Sequence, residues 1–155
     1  GDRIPVPFKP EYEGNISSKL TKDEGFLVGY YLGDGHKSQC SDGRWQYGFI
    51  VSEKEMNCCG TKLLNIINNN KINKTTSNLN RDHESAAFST YVSEKGFVNY
   101  CETLGMIQDK SSGIPITVWT GGKDFIKGFI AGLFSSKKDI LILSLLILFK
   151  PSIKY

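Results

Sequence analysis

FLVGYYLGDG, residues 26–35, reads as a helix that breaks two rules of helix composition. Gly25, Gly29 and Gly33 recur at every fourth position and so share one helix face. Each interior glycine costs about 1 kcal/mol relative to alanine. Asp34 then closes the stretch at the negative pole of the helix dipole, where an anion is disfavoured. Thr21 and Glu24 form a capping-box pair just upstream, which predicts a helix from Lys22 to Gly33.

Outward from this helix, HKSQCSDGRWQYGFIVS has an Asp42-Gly43 turn signal between strand-like flanks and predicts a hairpin. SEKEMNCCGTKLLNIINNN places Met56, Leu63, Leu64, Ile66 and Ile67 at amphipathic helical spacing. KINKTTSNLNRDHESAAFSTYVS reads as a second strand pair joined around Asp82–Glu84, and a third helix is expected over 94–105. IPITVWT, 114–120, reads as an extended piece. A further helix from about Gly122 contains FIKGFIAGLF and carries its own glycine face, Gly128 and Gly132. Two helices with glycine at four-residue spacing can pack backbone to backbone, and that contact would offset the glycine penalty. The residues alone also fit glycines that only permit tight packing in an ordinary α+β core.

Composition narrows the class of protein. The 155 residues suffice for one domain with a real core, and 39% apolar with 23% charged suits a globular chain. A net charge of +3 is compatible with a polyanionic partner without demonstrating one. Cys40, Cys58, Cys59 and Cys101 form no CxxC pair, and only His36 and His83 accompany them, so reduced thiols are expected rather than a structural zinc site. ILILSLLILF, 140–149, is about half the length of a membrane helix. With no signal-peptide pattern, the expectation is an intracellular protein, cytoplasmic or nuclear, without a membrane partner.

LVGYYLGDG, 27–35, resembles the LAGLIDADG motif of homing endonucleases, in the form seen in intein-inserted domains. IAGLFSSKK, 130–138, resembles the second copy. The resemblance implies an α+β fold: an αββαββα half with a four-stranded antiparallel sheet, plus a second motif helix. Residues 1–20 would be an extended lead-in, 21–120 the first repeat, 121–138 the second motif helix and 139–155 an atypical apolar and basic tail in place of a full second repeat.

The same resemblance implies that the motif helices pack through Gly25, Gly29, Gly33, Gly128 and Gly132. The sheet would lie on double-stranded DNA, and the acid ending each helix would hold Mg²⁺ or Mn²⁺. Asp34 is then a catalytic metal ligand, Gly33 a carbonyl donor and Lys110 an electrostatic helper standing in for the family's lysine, whose place before Ile114-Pro115 is taken by Ser112. A carboxylate beside unsatisfied helix carbonyls is also, on chemistry alone, an all-oxygen site suited to a hard cation. Without the resemblance, Asp34 reads equally well as a solvated turn residue. Lys37, Gln39, Arg44 and Gln46 on the first hairpin, and Lys71, Lys74, Asn78 and Arg81 on the second, are candidate DNA contacts.

The second motif departs from the pattern. Aligning Gly29 with Gly132 puts Lys137 opposite Asp34, and a charged lysine cannot ligate a metal. The expectation is a degenerate, DNA-binding descendant of a site-specific endonuclease. The alternatives are an active Mg²⁺-dependent enzyme completed by a second copy and an RNA-binding, maturase-like splicing helper. Gly1 and the Lys-Tyr terminus lack the groups for protein splicing, so an intein splicing domain would be a partner rather than part of this chain.

Overall fold

The computed structural model describes residues 20–71, 76–81 and 86–136. The elements in chain order are α1 (Lys22–Asp34), β1 (Gly35–Gln39), β2 (Trp45–Ser52), α2 (Thr61–Asn69), β3 (Asn80–Arg81), β4 (Ala87–Val92), α3 (Lys95–Thr103), α4 (Ile116–Thr120) and α5 (Lys123–Ser136). A 3₁₀ turn, Glu53–Glu55, and a π turn, Met56–Gly60, lead into α2. The expected α+β order is therefore observed, and the strands form one antiparallel sheet in the order β1-β2-β4-β3.

Local chemistry sets the ends of α1. The Thr21 side chain accepts from the Glu24 N–H at 3.1 Å, while the Thr21 N–H donates to Glu24 Oε2 at 2.7 Å. Both halves of the capping box are thus made, satisfying two of the donors a helix start leaves open. The helix runs one residue past the sequence-based end, through Asp34, and Gly35 closes it by donating to the Tyr31 carbonyl. In the β1–β2 hairpin, Gly43 has φ of +85°, a left-handed conformation for which glycine is the natural choice.

The buried core lies between the sheet and the helices. Tyr47, Phe49 and Val51 of β2 alternate inward against Leu27, Tyr30 and Tyr31 of α1 and Phe97 of α3. Buried phenols need partners, and they have them. Tyr30 donates to the Ile50 carbonyl at 2.8 Å and Tyr31 to the Ile107 carbonyl at 2.5 Å, while Tyr47 bonds the Met106 carbonyl. Burial pushes the Tyr31 hydroxyl pKa up to about 12, so these groups stay protonated donors.

One expectation is corrected. Residues 116–120 of the supposedly extended IPITVWT are helical, forming α4. Pro115 has no N–H to satisfy and sits just ahead of the turn at φ of −56°. Burial of Val118 and a 2.7 Å bond from Thr117 Oγ1 to the Leu104 carbonyl then outweigh the β-branched residues' modest dislike of helix. The turn joining the second strand pair at Asp82–Glu84 and the whole 139–155 tail lie outside the described residues.

Candidate functional site

The helices α1 and α5 meet along their glycine faces. A Cβ on Gly25 would overlap the Phe125 carbonyl oxygen, and one on Gly29 would overlap that of Phe129. Reciprocally, a Cβ on Gly128 would strike the Lys22 carbonyl and one on Gly132 the Phe26 carbonyl. These contacts obey a single rule: a shift of 103 residues carries each α1 position onto its α5 counterpart, Gly29 onto Gly132 and Phe26 onto Phe129. The pair therefore has local two-fold symmetry. Gly33 meets its own counterpart, Ser136, whose buried side chain fills the space that a Gly33 Cβ would need.

Asp34 follows Gly33 directly, so it leaves α1 beside this symmetric crossing and is half-buried. The same shift carries Asp34 onto position 137, where the sequence has lysine; Lys137 itself lies outside the described residues. Lys110 arrives from the turn Lys110–Ser112, with Nζ 3.5 Å from the Leu32 carbonyl and 5.1 Å from the centre of the Tyr31 ring. A cation is thus set at the negative pole of α1, where it is favourable and offsets the misplaced acid. Among the described residues no group of three or more His, Cys, Asp or Glu converges on a metal position. The oxygens at this pole are the Asp34 carboxylate and the last-turn carbonyls, including that of Gly33, a set of the kind that suits a hard cation.

Strand register divides the sheet into two faces. The helix-packed face carries Lys37, Gln39, Trp45, Tyr47, Phe49 and Val51, because Lys37 stands opposite Tyr47 and Gln39 opposite Trp45. Lys37 is ion-paired with Glu102 of α3 at 2.8 Å, and its ammonium lies 5.0 Å from the Trp45 ring centre. Gln39 donates to the Gly43 carbonyl at 2.8 Å within the hairpin turn. These two sequence-based candidates therefore belong to the helix side of the β1 edge. Arg44, at the exposed hairpin tip, pairs with Asp42 at 2.7 Å, and the bonds from Arg44 hold the Asp42 carboxyl below the usual carboxylate range.

The open face carries Gln46, whose Nε2 lies 3.2 Å from Ser38 Oγ, together with His36, Gly48, Ile50, Ser89 and Tyr91. Asn80 of β3 joins it opposite Ser89. Asn78 is exposed just ahead of β3, and Arg81 lies 3.8 Å from Glu53 at the β3 edge. Lys71 Nζ is 3.0 Å from Ser77 Oγ, at the far end of the sheet from the β1 edge, whereas Lys74 lies outside the described residues.

Sequence reasoning passed over His36 and Tyr91. Their rings meet edge to face at 5.5 Å above Gly48, where a Cβ would collide with both. His36 is two residues beyond Asp34; burial, then the Lys110 charge, lowers its pKa from the ordinary histidine value. The signal was present in the alternation of Tyr47, Phe49 and Val51, which sends Gly48 and its cross-strand neighbours to the opposite face.

No protein-family model matches this chain, and no curated protein does. Solved structures do. Variants of the homing endonuclease I-DmoI align with a TM-score of 0.51 at 16% identity, covering 84% of this chain and 71% of theirs. I-DmoI in complex with its target DNA in the presence of manganese aligns at 0.47 and 16% identity, over 82% of this chain and 71% of the other. A further I-DmoI complex with DNA and manganese aligns at 0.43 and 16% identity, over 81% and 73%. Element order, antiparallel sheet and glycine-faced helix pair together give this chain the fold of the LAGLIDADG homing endonucleases.

Proposed function

We propose that this chain is a homing-endonuclease domain of the intein-inserted type that binds double-stranded DNA but has lost double-strand cleavage. The observation that supports this reading is the 103-residue correspondence between α1 and α5, seen as far as Gly33 and Ser136; continued one step in the sequence, it pairs Asp34 with a lysine, Lys137. An ammonium there donates hydrogen bonds and cannot ligate a cation. A half-site with Asp34 and the Gly33 carbonyl would still hold one Mg²⁺ or Mn²⁺, which when bound would neutralise charge on a phosphodiester oxygen. Lys110, poised at the α1 pole, would stabilise negative charge beside it.

The open face of the sheet is the proposed DNA surface, with His36, Ser38, Gln46, Asn80 and Tyr91 toward base edges, while Arg44 at the hairpin tip and Lys71 and Arg81 near the β3 edge would reach phosphates from the rim. Completion by a second copy through α1 is disfavoured, because α5 of the same chain already covers the glycine face. The domain would act inside the cell, in cytoplasm or nucleus, alongside the splicing domain of a parent intein. The test is gel retention of a duplex spanning the uninterrupted insertion site at rising salt. Affinity should fall log-linearly with salt, and Arg44→Ala with Arg81→Ala should flatten the slope by about one ion each. Salt-independent retention, or none, contradicts the reading.

A further inference from the structure

Cys58 and Cys59 are adjacent in sequence, lie in the π turn Met56–Gly60 and are not among the residues assigned to the DNA surface or to cation binding. Their sulfurs are 3.1 Å apart. In an α-helix, neighbouring side chains diverge by about 100°. A π turn holds more residues per turn, so the step is smaller and adjacent side chains come closer. The turn is fixed in place by Gly60, which is buried against Met56, Val51 and Leu79. Cys58 is exposed and Cys59 half-buried, beside Ser135 of α5.

We propose that Cys58 and Cys59 form a two-sulfur site for trivalent arsenicals. Two thiols held this close suit a three-coordinate thiophilic centre that brings its own third substituent. A tetrahedral zinc site would need further protein donors, and among the described residues no third His, Cys, Asp or Glu converges here. With phenylarsine oxide, two As–S bonds form and the As=O bond is lost. Both thiol protons leave with that oxygen as water, and arsenic stays trivalent.

The experiment treats the native full chain with phenylarsine oxide and reads intact mass. The expected result is one arsenical per chain, gained with loss of one water, retained against excess glutathione and removed by dithiothreitol. Cys58→Ser and Cys59→Ser should each lose the glutathione-resistant adduct, while Cys40→Ser keeps it; Cys58 is exposed, and circular dichroism checks that its variant is folded. Displacement by glutathione, retention in Cys58→Ser, or adduct formation only after denaturation would each overturn the proposal.

Discussion

Gly33 and Ser136 are counterparts across the α1–α5 symmetry, and they touch each other: the serine side chain stands where a Cβ on Gly33 would be. The contact thus extends to the residue immediately before Asp34, while the backbones themselves meet at Gly25, Gly29, Gly128 and Gly132. Two backbones this close explain why α1 tolerates glycines that would cost an isolated helix about 1 kcal/mol each. Ser136 also bonds the Leu133 carbonyl of its own helix at 2.9 Å, so it cannot move aside freely.

This contact predicts strong coupling. Gly33→Ala should destabilise by about 1–3 kcal/mol through overpacking, despite alanine's better helix propensity. Combining it with Ser136→Gly should recover part of the loss, giving a coupling of about 0.5–3 kcal/mol in a urea-unfolding double-mutant cycle. Gly29→Ala meets backbone at the Phe129 carbonyl, and no side-chain substitution should rescue it.

The N-terminal cap of α1 should be measurable separately. Thr21→Ala removes the bond to the Glu24 N–H and should cost about 1 kcal/mol in the same unfolding experiment. An unchanged midpoint would mean that tertiary packing alone holds the first turn.

His36 predicts a pH dependence whose sign is fixed. Its folded pKa lies below the ordinary value, so the unfolded chain binds the proton more readily. Its contribution to stability is complete above the unfolded pKa of about 6.5 and is lost as pH falls through the folded value. Thermal midpoints taken from pH 7.5 downward should fall more steeply in the parent than in His36→Gln. Parallel curves would show that His36 does not contribute to the pH dependence.

Lys37 is a lysine whose structural contacts exceed its apparent availability to DNA. Its ammonium joins Glu102, whose side chain is 44% exposed, so the pair is worth about 0.2–1 kcal/mol after solvent screening. Lys37→Met should show a loss of that size while leaving the salt slope of DNA retention unchanged. A slope reduced by about one ion would place Lys37 on the DNA instead.

Much of this was legible in the residues. Thr21 and Glu24 marked the start of α1, Asp42-Gly43 marked the hairpin, and the glycine spacing marked the seam with α5. Those signals are local, set by caps, turn conformations and helical period. The face assignment of Lys37 and Gln39 was not legible, because it depends on which carbonyls β1 and β2 share. The α4 turn was hidden for a related reason: Val118 is held by burial and Thr117 by the Leu104 carbonyl, contacts no short window contains. Lys110 reaches the end of α1 from 78 positions away in sequence, so only the fold brings it to Asp34's pole.

The α5 side of the symmetry also reveals what differs between the two halves. Leu27 and Tyr31 of α1 are fully buried beneath the sheet, while their counterparts Ile130 and Phe134 are 45% and 43% exposed. Among the described residues there is one sheet, and it packs on α1.

The central claim, binding without double-strand cleavage, is tested most directly by incubating the protein with supercoiled plasmid carrying the uninterrupted insertion site and Mg²⁺ or Mn²⁺. The plasmid should be retained on gels with no linear product at any metal concentration. Metal-dependent linearisation that disappears in Asp34→Asn would contradict it.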